Sequence, residues 1–95
     1  MKLKSGGTED IFNDRNTKAA RALLPVALVK VARRKLAAIN AVSTLEQLRI
    51  PTSNHLEALK RERAGQHSIR INEKYRVCFI WSGTEAVEVE ITDYH

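Results

Sequence analysis

The side chains of this sequence whose types can combine into chemistry are Glu57, Lys60, Arg61, Arg63, Arg70 and Arg76, with Asp93, Tyr94 and His95 at the chain end. Such a set meets the demands of cleaving RNA without a metal. A proton must leave the ribose 2′-hydroxyl, extra negative charge on phosphorus must be stabilised, and the departing 5′ oxygen must be protonated. Lysine and arginine suit the second task, while histidine or a carboxylate suits proton transfer. Tyr94 can stack on a base or position a phosphate. Basic residues on strands are ordinarily just solvated, so residue types alone leave both readings open.

Other chemistries find little support. The single cysteine, Cys78, excludes a cysteine-rich zinc site and reads as a small buried hydrophobe in a strand. The sequence contains no glycine-rich phosphate loop and no nucleophile elbow. His55, His67 and His95 are too far apart for a helical metal motif, so neither a metal nor a cofactor is expected.

Charge distribution says more than total charge. The net charge is +5 and the isoelectric point near 9.7, and the cations are clustered. No acid occurs from Arg15 to Leu45, a stretch holding Arg15, Lys18, Arg21, Lys30, Arg33, Arg34 and Lys35. From Val77 onward the pattern reverses, with Glu85, Glu88, Glu90 and Asp93 and no lysine or arginine. A basic face opposite an acidic strand is expected, and a basic face attracts phosphates or acidic partners.

The elements that must position these residues fit one domain over residues 1–95, with 43% hydrophobic residues sufficient for one modest core. The polar start does not read as a secretory leader, so none is expected, and the apolar stretch from Leu23 to Val31 is broken by Pro25 and Lys30, well short of the roughly 20 residues of a membrane span. A cytoplasmic protein is expected. Residues 1–5 read as a short opening strand, and Thr8 followed by Glu9 and Asp10 as the cap of a short helix to about Asn13. Leu28, Val29, Ala32, Leu36 and Ile39 line one face of a second helix entered near Pro25, whose other face carries Lys30, Arg33 and Arg34.

Ser43-Thr44 before Leu45-Glu46-Gln47-Leu48 suggests a capped turn, and Pro51 to Asn54 a loop. The period then changes to two. His67, Ile69 and Ile71 form one alternating set, Tyr75, Val77, Phe79 and Trp81 a second, and Val87, Val89 and Ile91 a third. Asn72-Glu73-Lys74 and Ser82-Gly83 are the connections. The expected fold class is α+β: a short N-terminal strand, two helices, then an antiparallel β-meander of three or four strands with the helices on one face.

The segment 55–79, HLEALKRERAGQHSIRINEKYRVCF, closely resembles the core of HigB-like toxins of type II toxin-antitoxin modules. The family pattern is a leucine-lysine turn, an Arg-x-Gly stretch, a Ser-Ile-x-Ile strand, a Tyr-or-Trp-Arg strand and a terminal Asp-Tyr-His. All occur here in order, and the earlier part is similar to one branch of the family. The resemblance implies a RelE-like fold, entry into the ribosomal A site beside 16S rRNA, and cleavage of the exposed mRNA codon without a cofactor. It assigns Lys60, Arg63 and Arg76 to the RNA backbone or the transition state, while Arg61 and Arg70 are further candidate RNA contacts by residue type alone. It gathers Asp93, Tyr94 and His95 in a C-terminal catalytic cluster, with His95 as the leading proton-transfer group.

The sequence departs from the family pattern in two places. Glu57 and Ala58 stand where some members have histidine and proline, which makes Glu57 with His95 a candidate acid-base pair. Lys60-Arg61 replaces a lysine-glycine pair, so Arg61 costs stability if its backbone needs a positive φ and adds a phosphate contact if it does not. His67 takes a place usually held by an aromatic residue and reads as a packed strand histidine. The resemblance implies a HigA-type helix-turn-helix antitoxin docking on Lys30, Arg33 and Arg34, a face that can equally meet ribosomal RNA phosphates. Operator DNA would be met only through the antitoxin. A ParE-like gyrase poison and a catalytically inactive RNA- or antitoxin-binding module are the rival readings.

Overall fold

The computed structural model describes residues 1–93. Three α-helices, α1 (Gly6–Phe12), α2 (Lys18–Leu23) and α3 (Val29–Ala41), precede four strands, β1 (Glu57–Ala58), β2 (His67–Arg70), β3 (Tyr75–Trp81) and β4 (Ala86–Asp93). Short 3-10 turns at Val26–Leu28, Leu45–Arg49, Thr52–Asn54 and Arg61–Arg63 fill the connections. The α+β class and the meander are as the sequence predicts. The helices and the sheet edges differ in instructive ways.

The cap of α1 is Ser5 and not Thr8. The Ser5 hydroxyl oxygen accepts from the Thr8 amide at 3.2 Å, which satisfies one of the orphan N–H groups of the first turn. Thr8 is wholly buried inside the first turn, and its hydroxyl oxygen accepts from the Ser5 hydroxyl at 2.9 Å and from the Ile91 amide at 3.2 Å. A residue that reads as a local cap therefore joins α1 to β4.

Helix α2 was not expected from the sequence. Its cap, Thr17, accepts from the Ala20 amide at 3.1 Å and donates to Asp10 Oδ2 at 2.7 Å, while Arg15 Nε donates to Asp10 Oδ1 at 2.9 Å. These bonds, that of Thr17 foremost and then that of Arg15, hold the Asp10 carboxyl below its ordinary pKa. Gly7 permits the close approach of the two helices: a Cβ there would lie 2.7 Å from Leu23 Cδ1 and 2.9 Å from the Ala19 carbonyl oxygen.

The apolar stripe of α3 is Ala32, Leu36 and Ile39, all buried, as the spacing predicts. The next turn is capped through Gln47, whose side-chain oxygen accepts from the Ser43 amide at 2.7 Å. The sheet runs in the order β1-β2-β3-β4 with every neighbour antiparallel. Asn72 Oδ1 closes the β2–β3 turn by accepting from the amides of Lys74 at 2.9 Å and Tyr75 at 2.7 Å.

The expected opening strand over residues 1–5 reduces to one parallel bridge, Leu3 with Val89, on the outer edge of β4. Lys2 donates to the Ala86 carbonyl at 2.9 Å, Lys4 to the Val89 carbonyl at 2.8 Å, and Val89 back to Lys2 at 3.1 Å. The fourth strand of the meander lies at the opposite edge, at Glu57 and Ala58. The helices bury one face of the sheet, where Ile69, Val77, Phe79, Val89 and Ile91 join Leu24, Ala32, Leu36 and Ile39 in one cluster.

Candidate functional site

The other face of the sheet carries the polar residues. Antiparallel partners point to the same side, so the register Glu57 to Ser68, Ser68 to Cys78 and Cys78 to Glu90 makes a row across all four strands. The neighbouring row is Arg70, Arg76 and Thr92. This meander brings residues far apart in sequence within reach of one another.

Arg76 is the most enclosed cation of the group, 8% exposed. One guanidinium nitrogen lies 3.2 Å from Glu57 Oε1, and the other donates to the His55 carbonyl at 2.7 Å. At the far end of the first row, Arg63 Nη1 meets Glu90 Oε1 at 3.1 Å and Gln66 Oε1 at 3.0 Å. Lys4 also approaches Glu90, at 3.8 Å. Burial pushes the Cys78 thiol up, the Arg63 charge offsetting this in part, so the thiol stays protonated and serves as the floor of the row and not as a nucleophile. The Ser68 hydroxyl beside it is buried and has no hydrogen-bond partner among the described residues.

With Arg63 and Arg76 each on a carboxylate, Lys60, Arg61 and Arg70 have no acidic partner among the described residues. The face therefore carries surplus positive charge. Arg61 is exposed on the 3-10 turn that ends at Arg63, and Lys60 is exposed just before it. Arg61 has a φ of 58°, so the position does require the left-handed conformation that glycine adopts freely, at a cost of about 1–2 kcal/mol for a side-chain-bearing residue. His55, which offers its carbonyl to Arg76, is also left-handed, at φ 47°. Two such residues thus flank the short strand that carries Glu57, and strained backbone concentrates at functional sites.

Glu57, Arg63, Arg70 and Arg76 are thus brought together, and Lys60 and Arg61 stand on the adjoining turn. Asp93 is set apart from them. Its partner across the ladder is Tyr75, which places it on the helix-facing side, with Lys74 Nζ 3.6 Å from Oδ2. Tyr94 and His95 lie outside the described residues. His67 stacks on Phe79 with ring centroids 6.3 Å apart, in keeping with a packed strand histidine.

The basic triplet of α3 does not act as one patch. Lys30 is exposed, Arg33 turns back towards Asp14 at 4.0 Å, and Arg34 lines a separate cleft. Nor does the acidic tail form a face of its own, because Glu90 and Asp93 are held by cations from elsewhere in the chain. The sequence reading missed the part played by Glu90 and Ser68. The signal was available in the alternation itself, since aligning the three strands through their turns sets Ser68, Cys78 and Glu90 side by side. Among the described residues no group of histidine, cysteine and acidic side chains is placed to hold a metal. None of the described helices is long and apolar enough to cross a membrane.

A small α+β protein with a helix-backed meander and a surplus of arginine on the open sheet face belongs to the class of RelE-like folds. The chain is a member of the RelE-like toxin family of the HigB type II toxin-antitoxin system, whose family model matches residues 2–95. It is similar to an uncharacterised protein of Haemophilus influenzae, 39% identical over 62 residues, covering 65% of this chain and 61% of that one. It is also similar to Toxin HigB-1 of Vibrio cholerae, 37% identical over 59 residues, covering 62% of each. The matched region thus spans about three fifths of either relative.

Proposed function

We propose that this protein is the toxin of a type II toxin-antitoxin module, a metal-independent endoribonuclease that cleaves mRNA in the ribosomal A site and so stops translation in the cytoplasm. The observation that carries the reading is the cross-strand group on the open face, where Arg63 and Arg76 are fixed by Glu90 and Glu57 beside Lys60, Arg61 and Arg70, which have no acidic partner among the described residues. Guanidinium groups held in place in advance stabilise developing negative charge without reorganising during the reaction.

In this reading the 2′-oxygen attacks phosphorus as its proton passes to Glu57 or His95. The charge that builds on the non-bridging oxygens is met by Arg76, Arg63 and Lys60. The bond to the 5′ oxygen breaks, that oxygen takes a proton from the other member of the pair, and a 2′,3′-cyclic phosphate remains. Tyr94 holds the base by stacking and Asp93 orients the chain end. Arg61 and Arg70 extend the grip on the RNA backbone.

A HigA-type helix-turn-helix antitoxin restrains the toxin, docking over the Lys30 and Arg33 side of α3 with Arg34 at the border. Purified protein added to a translating extract, beside His95→Ala and Arg76→Met variants, tests the enzyme directly when new 5′ ends on the message are mapped by primer extension. Ribosome-dependent cuts within codons that fade in both variants are the expected result. An intact message with the unaltered protein would sink the nuclease reading and make DNA gyrase the next target to assay.

A further inference from the structure

A cleft of about 630 Å³ opens between α3 and the turn at Thr52–Asn54, at the end of β2. Its polar lining is Arg34, Lys35, Ser53, Asn54, His55 and Arg70, with no carboxylate among the lining residues. The volume is that of a site for a small organic ligand or one nucleotide of a longer chain.

The cations around the cleft are held close to one another. Arg70 stands directly across the ladder from Arg76, and like charges in that position repel. Arg70 Nε is buried and has no hydrogen-bond partner among the described residues. Lys35 is half-buried next to Arg34, and its Nζ is fixed 2.6 Å from Asn54 Oδ1. Asn54 is itself 1% exposed and anchored by donating to the Leu48 carbonyl at 3.1 Å. Burial first, and the Arg34 charge second, hold the Lys35 ammonium below the ordinary lysine range. An anion bound in the cleft relieves both repulsions and favours the charged form of Lys35.

We propose that this cleft is a phosphodiester subsite, which holds the backbone of a single-stranded RNA one or more nucleotides away from the open sheet face. The inference rests on the RNA reading of that face. Continuity favours RNA over an acidic protein segment. Arg70 shares its cross-strand row with Arg76, and His55 both lines the cleft and gives its carbonyl to Arg76 at 2.7 Å. A polymer lying on the face runs past these two residues into the cleft. Arg34 and Arg70 then act as binding residues that take no part in the bond cleavage.

The test is fluorescence anisotropy with a short 2′-O-methyl RNA, which cannot be cleaved, titrated across a range of salt. Arg34→Gln and Arg70→Gln are compared with Lys18→Gln, which removes the same charge from α2 outside the cleft. Circular dichroism melts confirm that each variant folds, and Arg34 is exposed enough for its replacement to leave the core untouched. Each cleft variant should weaken binding about 3- to 10-fold and lower the salt slope by about 0.7, while Lys18→Gln behaves as wild type. Three results overturn the subsite: wild type that does not bind the RNA, cleft variants that bind it as Lys18→Gln does, or variants that lose affinity for polyglutamate while keeping it for RNA. Cleavage in the translating extract is scored separately. Absence of cuts alongside the expected binding losses would overturn the nuclease and leave the subsite standing. Full cleavage with unaltered binding in the cleft variants would do the reverse.

Discussion

Strand β3 presents two chemistries on its two sides. Val77 and Phe79 face the helices and are wholly buried among aliphatic side chains, whereas Arg76 and Cys78, their alternates, face a row of polar groups and yet are also buried. The helix side gains from removing apolar surface from water, at about 25 cal/mol per Å². The open side gains little that way. Its one buried charge among the described residues, Arg76, is tolerable only because Glu57 and a carbonyl meet it, and half-buried Arg63 is met by Glu90. One side specifies the fold, and the other holds charge ready for a ligand.

Four changes put that division under strain. The largest effect belongs to Phe79→Ala, which should lower stability by about 3–5 kcal/mol. A urea unfolding curve measures it, and a loss under about 1 kcal/mol would mean that the helix side does not carry the fold. Arg76→Met comes next and acts on the other property: ribosome-dependent cleavage should fall about 100-fold. Retained activity in the primer-extension assay would remove Arg76 from the reaction.

Arg61→Gly should raise stability by about 0.5–1 kcal/mol by relieving the left-handed backbone, less the added freedom of the unfolded chain. It should weaken RNA binding at the same time. Lower stability in thermal melts would show that the Arg61 side chain makes contacts worth more than the backbone relief. The smallest change sharpens the helix side alone. Asp10 has its folded pKa held down by Thr17 and Arg15, so it contributes stability above its unfolded pKa that is lost as pH falls below about 4 through the folded value. Asp10→Asn should therefore give a shallower fall of melting temperature with acid, and parallel curves would separate Asp10 from acid stability.

The strands were legible because alternation is local. The stripe on α3 was legible for the same reason. Helix α2 was not, since six residues hold too little periodicity and the helix depends on Thr17 bonding Asp10 and on Gly7 admitting Leu23. Strand β1 has two residues, both exposed, and alternation cannot be read from a pair. In the site, the sequence offered Glu57, Arg63, Arg70 and Arg76 by type but set Glu90 in an acidic tail. Its partner, Arg63, lies 27 residues earlier, a relation that only the register reveals. The basic triplet divides for a comparable reason, because Arg33 and Arg34 sit on different sides of α3 despite being neighbours.

The hydrogen bonds of residues 2–4 along β4 bear on how the molecule lives at high concentration. A strand at the rim of a sheet offers a template for another chain to add to, and β4, eight residues long, is the longest in this sheet. The segment around Leu3 occupies part of that rim, and the opposite rim is only two residues long. Self-templated aggregation is blunted at both borders, which leaves the open face accessible while limiting one molecule's capacity to recruit the next.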